Sequence, residues 1–329
     1  MVGAMVIVGA GSQVSEGDVG PDGGTAAECW DAWHGSIASI SVLGCSTVTR
    51  TIESMRRAGF ADISVLGTNV WNERAGTVSS EEQAWCIAAE ELEMRREKNL
   101  DAVIIMRTGS YVECEWSSLI EQHRGYGAAV TRAFDREGAL DIWVVDPCRF
   151  RAEENLPGAL RAAKTAESAV GGYVNRLQGA GDLRRLASDM LSLRCRVRPN
   201  GTEVRPGLWM ADGTQVARNA RVVAPAYIGR GVKISDDCLI TRCSNVEANS
   251  CVDFGTAIED SSVLSDTYVG IGLDLSHSVV DGSEILNLNH EVRLRIGDPV
   301  VLRRDSTKVQ HSQSVFEAKE MALSYRERQ

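Results

Sequence analysis

The 329-residue chain has few aromatic residues and no long apolar run. Aromatic side chains make up 5% of the residues, against 43% for all hydrophobic residues, so we expect a core of small aliphatic groups. No apolar run reaches the roughly 18 residues that a membrane-spanning helix needs. The formal net charge of −10 argues against nucleic acid, or an anionic membrane surface, as the main partner.

The start of the chain has neither the basic segment nor the long apolar segment of a signal peptide. The nine cysteines are scattered, their number is odd, and no C-x-x-C pair occurs. This usage favours reduced thiols that pack as small buried groups, and we therefore expect a cytoplasmic protein. The length suits two domains better than one.

The stretch MVIVGAGSQVSEGDVG, residues 5–20, joins a short apolar run to a glycine turn. A strand followed by such a turn brings backbone N–H groups close to a phosphate. The following residues are acidic, and no Lys or Arg occurs before Arg50. If a nucleotide binds at this turn, these residues would contact it: Gly9, Ala10, Gly11, Ser12 and Gln13.

The acidic loop leaves two interpretations open. Asp18, Asp22 or Glu28 could hold a divalent ion that replaces the missing cation, or the loop could be a solvated surface. Trp30 and Trp33 could pack the loop onto a sheet, or one of them could stack on a base. A dinucleotide-binding fold is disfavoured because valine stands at the third glycine position of that fingerprint.

The first half of the chain alternates apolar strand patterns with helix patterns. Strands are expected at residues 4–8, 61–67, 101–106, 128–134 and 140–146, and helices at residues 46–58, 79–98, 116–125 and most of 158–193, with 181–191 as an amphipathic linker helix. This alternation predicts an α/β domain with a mostly parallel sheet that is covered on both faces.

The second half has a six-residue period. An aliphatic residue recurs at this spacing, and a small residue lies two places before it in all positions but one. The aliphatic positions are Val216, Val222, Ile228, Ile234, Ile240, Val246, Val252, Ile258 and Leu264, and after a slip of one residue the pattern resumes at Val269 and Leu275. A helix or a flat sheet does not repeat every six residues, but a triangular solenoid does, so we predict a parallel β-helix of about three coils.

The glycine loop, the α/β pattern and the hexapeptide repeat together resemble the sugar-1-phosphate nucleotidyltransferases, also called NDP-sugar pyrophosphorylases. The stretches SISVLGCSTVTRTIESMRRAGFADISVLG (39–67), DAVIIMRTGSYV (101–112) and LDIWVVDP (140–147) follow the order of that family's first domain. The resemblance implies a nucleotidyltransferase-like α/β domain at residues 1–180, a linker at 181–213, a left-handed β-helix at 214–303 and a tail at 304–329.

Active members of that family attack the α-phosphate of a nucleoside triphosphate with a sugar phosphate and release pyrophosphate, with Mg²⁺ bound. Their loop reads Gly-x-Gly-(Thr/Ser)-Arg. Here Gly9, Gly11 and Ser12 match that pattern, whereas Gln13 takes the place of the arginine. The family's Lys-Pro pair falls near residues 37–38, which are Ile and Ala.

The family's metal-binding aspartate falls near Thr108, after Met106 and Arg107, which also depart from the pattern. Residues 99–163 contain no lysine. One charge-assisted phosphate contact contributes about 1.5–3 kcal/mol, and a lost transition-state donor costs about 10²–10³-fold in rate. We therefore expect a catalytically degenerate protein without catalytic or metal-binding residues.

The expected role is regulatory or scaffolding, in sugar-nucleotide or polysaccharide metabolism. The expected partners are a nucleotide or sugar phosphate, together with a second copy of the chain or another protein. One alternative is an active nucleotidyltransferase that uses Mg²⁺. A second alternative is a hexapeptide-repeat acyltransferase with His277 or His290 as general base, although about three coils leave little room for a coenzyme A groove.

Overall fold

The computed structural model of the chain describes residues 2–9, 37–67, 71–72, 76–78, 80–151 and 155–305. The described residues divide into two compact units. The first contains residues 2–9 and 37–39 and the described part of 48–178, and the second contains residues 40–47 and 179–305.

The elements up to residue 191 include short strands and longer helices. Strands β1–β12 are Val2–Val8, Ser41–Val42, Cys45–Ser46, Asp62–Gly67, Trp71–Asn72, Gly76–Thr77, Ala102–Arg107, Tyr111–Val112, Val130–Asp135, Gly138–Val145, Ala166–Ala169 and Val174–Asn175. Helices α1–α5 are Thr47–Arg57, Glu81–Glu97, Trp116–Tyr126, Leu156–Ala162 and Ala180–Leu191, and a 3₁₀ turn spans Ile37–Ser39.

The central sheet of the first unit has the strand order β11-β9-β10-β7-β1-β4. Strand β1 pairs in parallel with both β4 and β7, and β9 pairs in parallel with β11. Strand β10 is antiparallel to both of its neighbours. The other five strands therefore run in one direction, which confirms the predicted α/β unit with a mostly parallel sheet.

Both faces of this sheet are covered. Alternate residues of β1 enter two separate cores, with Met5 and Ile7 in one and Ala4 and Val6 in the other. The first core includes side chains of α2 and α4, and the second includes side chains of α1 and α3. Two-sided burial explains why the strand sequences are continuously apolar rather than alternating.

The prediction of helix across most of residues 158–193 is wrong in its middle part. Helix α4 ends at Ala162, and the chain then forms strands β11 and β12 before α5 begins at Ala180. Strand β11 extends the central sheet beside β9, and its Ser168 is fully buried. Pairing with a distant strand therefore overrides the helical tendency of this alanine-rich segment.

The second unit continues with short strands. Strands β13–β29 are Thr202–Arg205, Leu208–Met210, Gln215–Val216, Arg221–Val222, Ala226–Ile228, Lys233–Ile234, Leu239–Thr241, Asn245–Val246, Cys251–Val252, Ala257–Glu259, Ser262–Val263, Thr267–Val269, Asp274–Ser276, Ser278–Asp281, Glu284–Asn287, Val292–Arg295 and Leu302–Arg304. They form three main sheets. Within these sheets each strand from β14 to β23 pairs in parallel with the strand three places later in the chain, up to β26.

The pairing register explains the six-residue period. Gln215 pairs with Lys233, and Arg221 pairs with Leu239, so successive layers are separated by three hexads. The aliphatic positions of the repeat form one core that extends from Leu208 to Leu302. The C-terminal region is thus a stack of short strands in parallel sheets, closed by the antiparallel strands β27, β28 and β29.

The predicted ninth core position is wrong. Val263 rather than Leu264 enters the core, five residues after Ile258. The repeat is one residue shorter here, in the turn between β22 and β23. In the previous layer Arg242 and Cys243 both have positive φ in this turn, whereas here Asp260, at φ 44°, takes the place of both. His277 takes the same place one layer later, and the core spacing again shortens to five, from Leu275 to Val280.

The small residues of the repeat form a ladder of hydroxyl groups. Ser250 Oγ accepts the N–H of Thr267 at 3.2 Å and donates to the carbonyl of Leu264 at 2.9 Å. Thr256 Oγ1 accepts the N–H of Leu273 at 3.1 Å and donates to the carbonyl of Gly270 at 2.6 Å. The residue two places before the core position therefore does more than fit a narrow space, because it joins one layer to the next.

Candidate functional site

The glycine turn begins at the carboxyl ends of two adjacent parallel strands. Gly9 directly follows β1, and Thr108 directly follows β7. The Gly9 N–H donates to Thr108 Oγ1 at 3.2 Å, and the Thr108 N–H donates to the carbonyl of Ile7 at 2.8 Å. The two strand ends thus bring Gly9 next to Thr108, the residue at which the family resemblance places a metal-binding aspartate. This closeness is expected, because the carboxyl ends of adjacent parallel strands lie at the same edge of the sheet.

Arg107 occupies the space next to Gly9. Its Nε lies 2.6 Å from Glu81 Oε1 and its Nη2 lies 3.3 Å from Glu81 Oε2, so the two side chains form a bidentate pair. Asp141 lies on the other side, with 3.7 Å between its Oδ2 and Arg107 Nη1. Burial alone would lower the pKa of Arg107, but the contacts with Glu81 and Asp141 raise it above its ordinary value.

Asp141 also contacts a second arginine, Arg132. Asp141 Oδ1 lies 3.3 Å from Arg132 Nη2, and the Arg132 guanidinium lies 5.3 Å from the centre of the Trp143 ring. Glu81 in turn accepts the indole N–H of Trp85 at 3.3 Å. The strand ends therefore carry an ion-pair network in which each of the two arginines faces a carboxylate.

The described residues do not fit the Mg²⁺ ion that the family resemblance implies. Thr108 offers a neutral hydroxyl where a carboxylate would be required, and that hydroxyl already accepts from Gly9. Glu81 and Asp141 lie nearby, but both carboxylates already contact Arg107, and Asp141 also contacts Arg132. Within the described ranges no group of three or more His, Cys, Asp and Glu side chains could hold a metal.

Several predicted site residues cannot be placed. Ala10, Gly11, Ser12 and Gln13 lie outside the described residues, so Gly9 alone represents the glycine turn. The acidic and aromatic residues of the following loop also lie outside them, namely Asp18, Asp22, Glu28, Trp30 and Trp33. Ile37 and Ala38, at the position of the family's Lys-Pro pair, are buried in a 3₁₀ turn.

A second polar cluster lies in the other unit, at the shortened turn of the repeat. His277 Nδ1 is 2.6 Å from Asp260 Oδ2, and Arg184 Nη2 is 2.8 Å from Asp260 Oδ1. Arg184 extends from α5 and is 4% exposed, whereas the His277 side chain is 40% exposed. His290 lies in the turn after β27, and among the described residues its imidazole has no carboxylate partner.

Sequence reasoning singled out His277 but missed its partners. The six-residue pattern alone does not place Asp260 beside His277. The two residues fall on the same corner of the coil only when the shortened turns are taken into account. Arg184 carried no signal, since it belongs to an amphipathic helix outside the repeat. None of the eight described cysteines forms a disulfide, as expected for the scattered thiols, but the expectation of buried groups is wrong for Cys86 and Cys148, which are exposed.

No family model matches the chain, and no curated protein is significantly similar to it.

Among the described residues, no helix is long and apolar enough to cross a membrane.

Proposed function

We propose that the chain is a nucleotidyltransferase-like protein of sugar-nucleotide or polysaccharide metabolism that has no catalytic activity at its glycine turn. Its role is regulatory or scaffolding. The proposal rests chiefly on two donors at this edge that already have partners in the chain: the Gly9 N–H donates to Thr108, and the Arg107 guanidinium pairs with Glu81.

The layout of the first half supports the resemblance. The stretch 39–67 forms the hairpin β2–β3, then helix α1, then strand β4 beside β1. The resemblance implies a helix followed by the second strand of the sheet for this segment, and the order of α1 and β4 fits that expectation. A layout alone carries no activity, since one fold hosts many functions.

The electrostatics support the absence of turnover. Nucleotidyl transfer depends on cations and donors aimed at the phosphate that reacts. To contact a triphosphate, Arg107 would have to leave Glu81, and the Glu81 carboxylate would then lie next to the anion without its arginine. Gly9 would likewise have to leave Thr108, so binding would cost two existing interactions before any new one formed.

The finer architecture of the second unit is also proposed here. A separation of 18 residues between paired strands, with one aliphatic residue per strand in the core, fits a left-handed β-helix of three-sided coils. The outward sides of such coils offer surfaces for a second copy or a partner protein. The scaffolding role would use these surfaces.

Two measurements test the proposal. The full chain is assayed for pyrophosphate release with each of the four nucleoside triphosphates, Mg²⁺ and a panel of sugar 1-phosphates, with Gly9→Ala as the paired variant. We expect no release above background from either protein. Release by the wild type that Gly9→Ala abolishes would overturn the absence of catalysis.

Light scattering after size exclusion tests the scaffolding role. We expect a particle larger than the 35.6 kDa monomer. A monomer at every concentration would count against self-assembly as the basis of that role, whatever the result of the pyrophosphate assay.

A further inference from the structure

Three exposed large apolar side chains lie together at one corner of the repeat. Phe254, Ile271 and Val300 are 49%, 64% and 67% exposed. The Gly272 N–H donates to the Phe254 carbonyl at 2.9 Å, so Phe254 and Ile271 lie on successive layers. A Cβ on Gly270 would lie 2.4 Å from the Val300 carbonyl oxygen, which places Val300 beside Ile271. We call these three residues the corner patch.

The corner patch is contiguous and lies at one end of the repeat. Single exposed apolar side chains are common on protein surfaces, whereas a contiguous group marks a surface that something else contacts. The pairing register places Arg218 and Asp236 at this same corner in the two layers before Phe254. The corner therefore changes from charged to apolar toward the end of the repeat from which the chain continues to its C-terminus.

The chain leaves the repeat close to the corner patch. Strand β29 lies antiparallel to β24, and the N–H of Asp305 donates to the carbonyl of Asp266 at 2.7 Å. Asp305 is five residues after Val300, and five residues span at most about 18 Å of extended chain. Residues 306–329 follow and lie outside the described residues. The point at which this segment begins is thus within about 18 Å of the patch.

The segment 306–329 has the length and the side chains to cover the patch. Its first adjacent pair of large apolar residues is Val315 and Phe316. Val315 is ten residues after Asp305, so about 33 Å of extended chain is available to bring the pair to the patch. Further large apolar side chains follow at Met321, Leu323 and Tyr325. The segment thus carries apolar groups at a suitable distance along the chain.

The charges at the corner also suit this segment. Asp253 accepts the N–H of Phe254 at 2.7 Å. Asp298 accepts the N–H of Val300 at 2.9 Å, so two carboxylates lie at the edge of the patch. The segment 306–329 has four basic and three acidic side chains, whereas the whole chain has a net charge of −10. Because opposite charges favour association, this segment fits an edge of carboxylates better than the acidic remainder of the chain does.

We propose that the corner patch is the docking site of this chain's own C-terminal segment, residues 306–329, with Val315 and Phe316 against Ile271. Docking within one chain costs little loop-closure entropy, because the connecting stretch is short. While the segment is docked, the patch is not accessible to a second copy or to another protein. This inference concerns the outer surface of the second unit and does not rest on the function proposed for the glycine turn.

Trypsin cleavage after Lys319 tests the docking in the full chain. Cleavage needs the undocked form, so its rate follows the fraction of chains in which the segment is undocked. We expect Ile271→Asp to speed release of the fragment that begins at Glu320 by roughly tenfold, the factor typical of losing one buried isoleucine side chain. Val292→Asp is the matched control, because Val292 is also exposed but lies on β28, and we expect it to leave the rate unchanged. Equal rates in the wild type and Ile271→Asp, or equal acceleration by both variants, would overturn the proposal.

A photocrosslink distinguishes docking within one chain from docking on a second copy. The photoreactive residue p-benzoylphenylalanine is introduced at position 316 of the full chain, and the irradiated protein is digested with trypsin and analysed by mass spectrometry. We expect adducts on the peptides 243–293 and 296–303, which contain the corner patch, in a product with the mass of one chain. A crosslinked dimer would show that a second copy is the occupant, and adducts confined to other peptides would show that the segment docks elsewhere. Either result would overturn the proposal.

Discussion

The buried carboxylate of Glu247 accepts the backbone N–H of Leu43 at 2.7 Å, across 204 residues of chain. It also accepts the N–H of Gly44 at 3.0 Å and the side-chain amide of Asn245 at 2.8 Å. Leu43 and Gly44 both have positive φ and form the turn of the hairpin β2–β3. One carboxylate therefore satisfies the backbone donors that this tight turn leaves without strand partners.

Glu247→Gln should destabilise the second unit by about 2 kcal/mol, because an amide nitrogen would face an N–H donor at a fully buried position. Urea unfolding followed by circular dichroism measures the change. Glu203→Gln is the matched control, since Glu203 accepts the N–H of Gly207 at an exposed position. Equal stability of the two variants would contradict a structural role for the buried carboxylate.

The hydroxyl ladder gives a second prediction. Ser250→Ala removes the acceptor of the buried Thr267 N–H, so the free energy of unfolding should fall by about 1–3 kcal/mol. Ser265→Ala lies in the same stretch but outside the ladder, and it should change the stability by less than about 0.5 kcal/mol. Thermal melts of the two variants side by side make the comparison, and similar losses would mean that the ladder does not bind the layers together.

The regular parts of this fold could be predicted because their burial repeats. The apolar strands of the first unit and the hexads of the second each present one side chain to the core at a fixed interval, so the sequence carries the period. The position of the slip could not be predicted. Val263 and Leu264 are both apolar, and only the pairing of Val246 with Val263 decides which of them enters the core.

The polar sites were harder to predict than the fold, since their partners come from distant segments. The sequence shows directly that no Lys or Arg precedes Arg50. It does not show that Arg107 lies next to Gly9 or pairs with Glu81, because both depend on how α2 lies against β7. Likewise, His277 stood out as a lone histidine on a solenoid. Its partner Asp260 belongs to the previous layer. The shortening of the turns by one residue aligns the two side chains, and it leaves no recognisable pattern within any one strand.

Gly172 offers a sharp test of the first unit. A Cβ at this position would lie 1.5 Å from the carbonyl oxygen of Glu113, whereas a Cβ at Gly171 would meet nothing within 4 Å. Gly172→Ala must therefore displace the backbone where β12 pairs with β8, at a cost of about 3 kcal/mol, at the upper end for overpacking. Gly171→Ala should leave the unfolding midpoint nearly unchanged, so equal midpoints would show that the two segments are not packed this closely.

His123 predicts how stability depends on pH. The ring is buried, its Nδ1 lies 2.7 Å from Thr131 Oγ1, and burial lowers its pKa below the ordinary value of 6.5 despite the opposing charge of Asp146. Below pH 6.5 the unfolded chain binds a proton that the folded chain does not. The free energy of unfolding therefore decreases as the pH is lowered, by up to about 1.4 kcal/mol per pH unit, until the pH reaches the pKa of His123 in the folded chain. Denaturant midpoints between pH 5 and 8 should show this slope for the wild type and for His290→Asn, and a flatter one for His123→Gln. A slope that survives unchanged in His123→Gln would assign the pH dependence to another group.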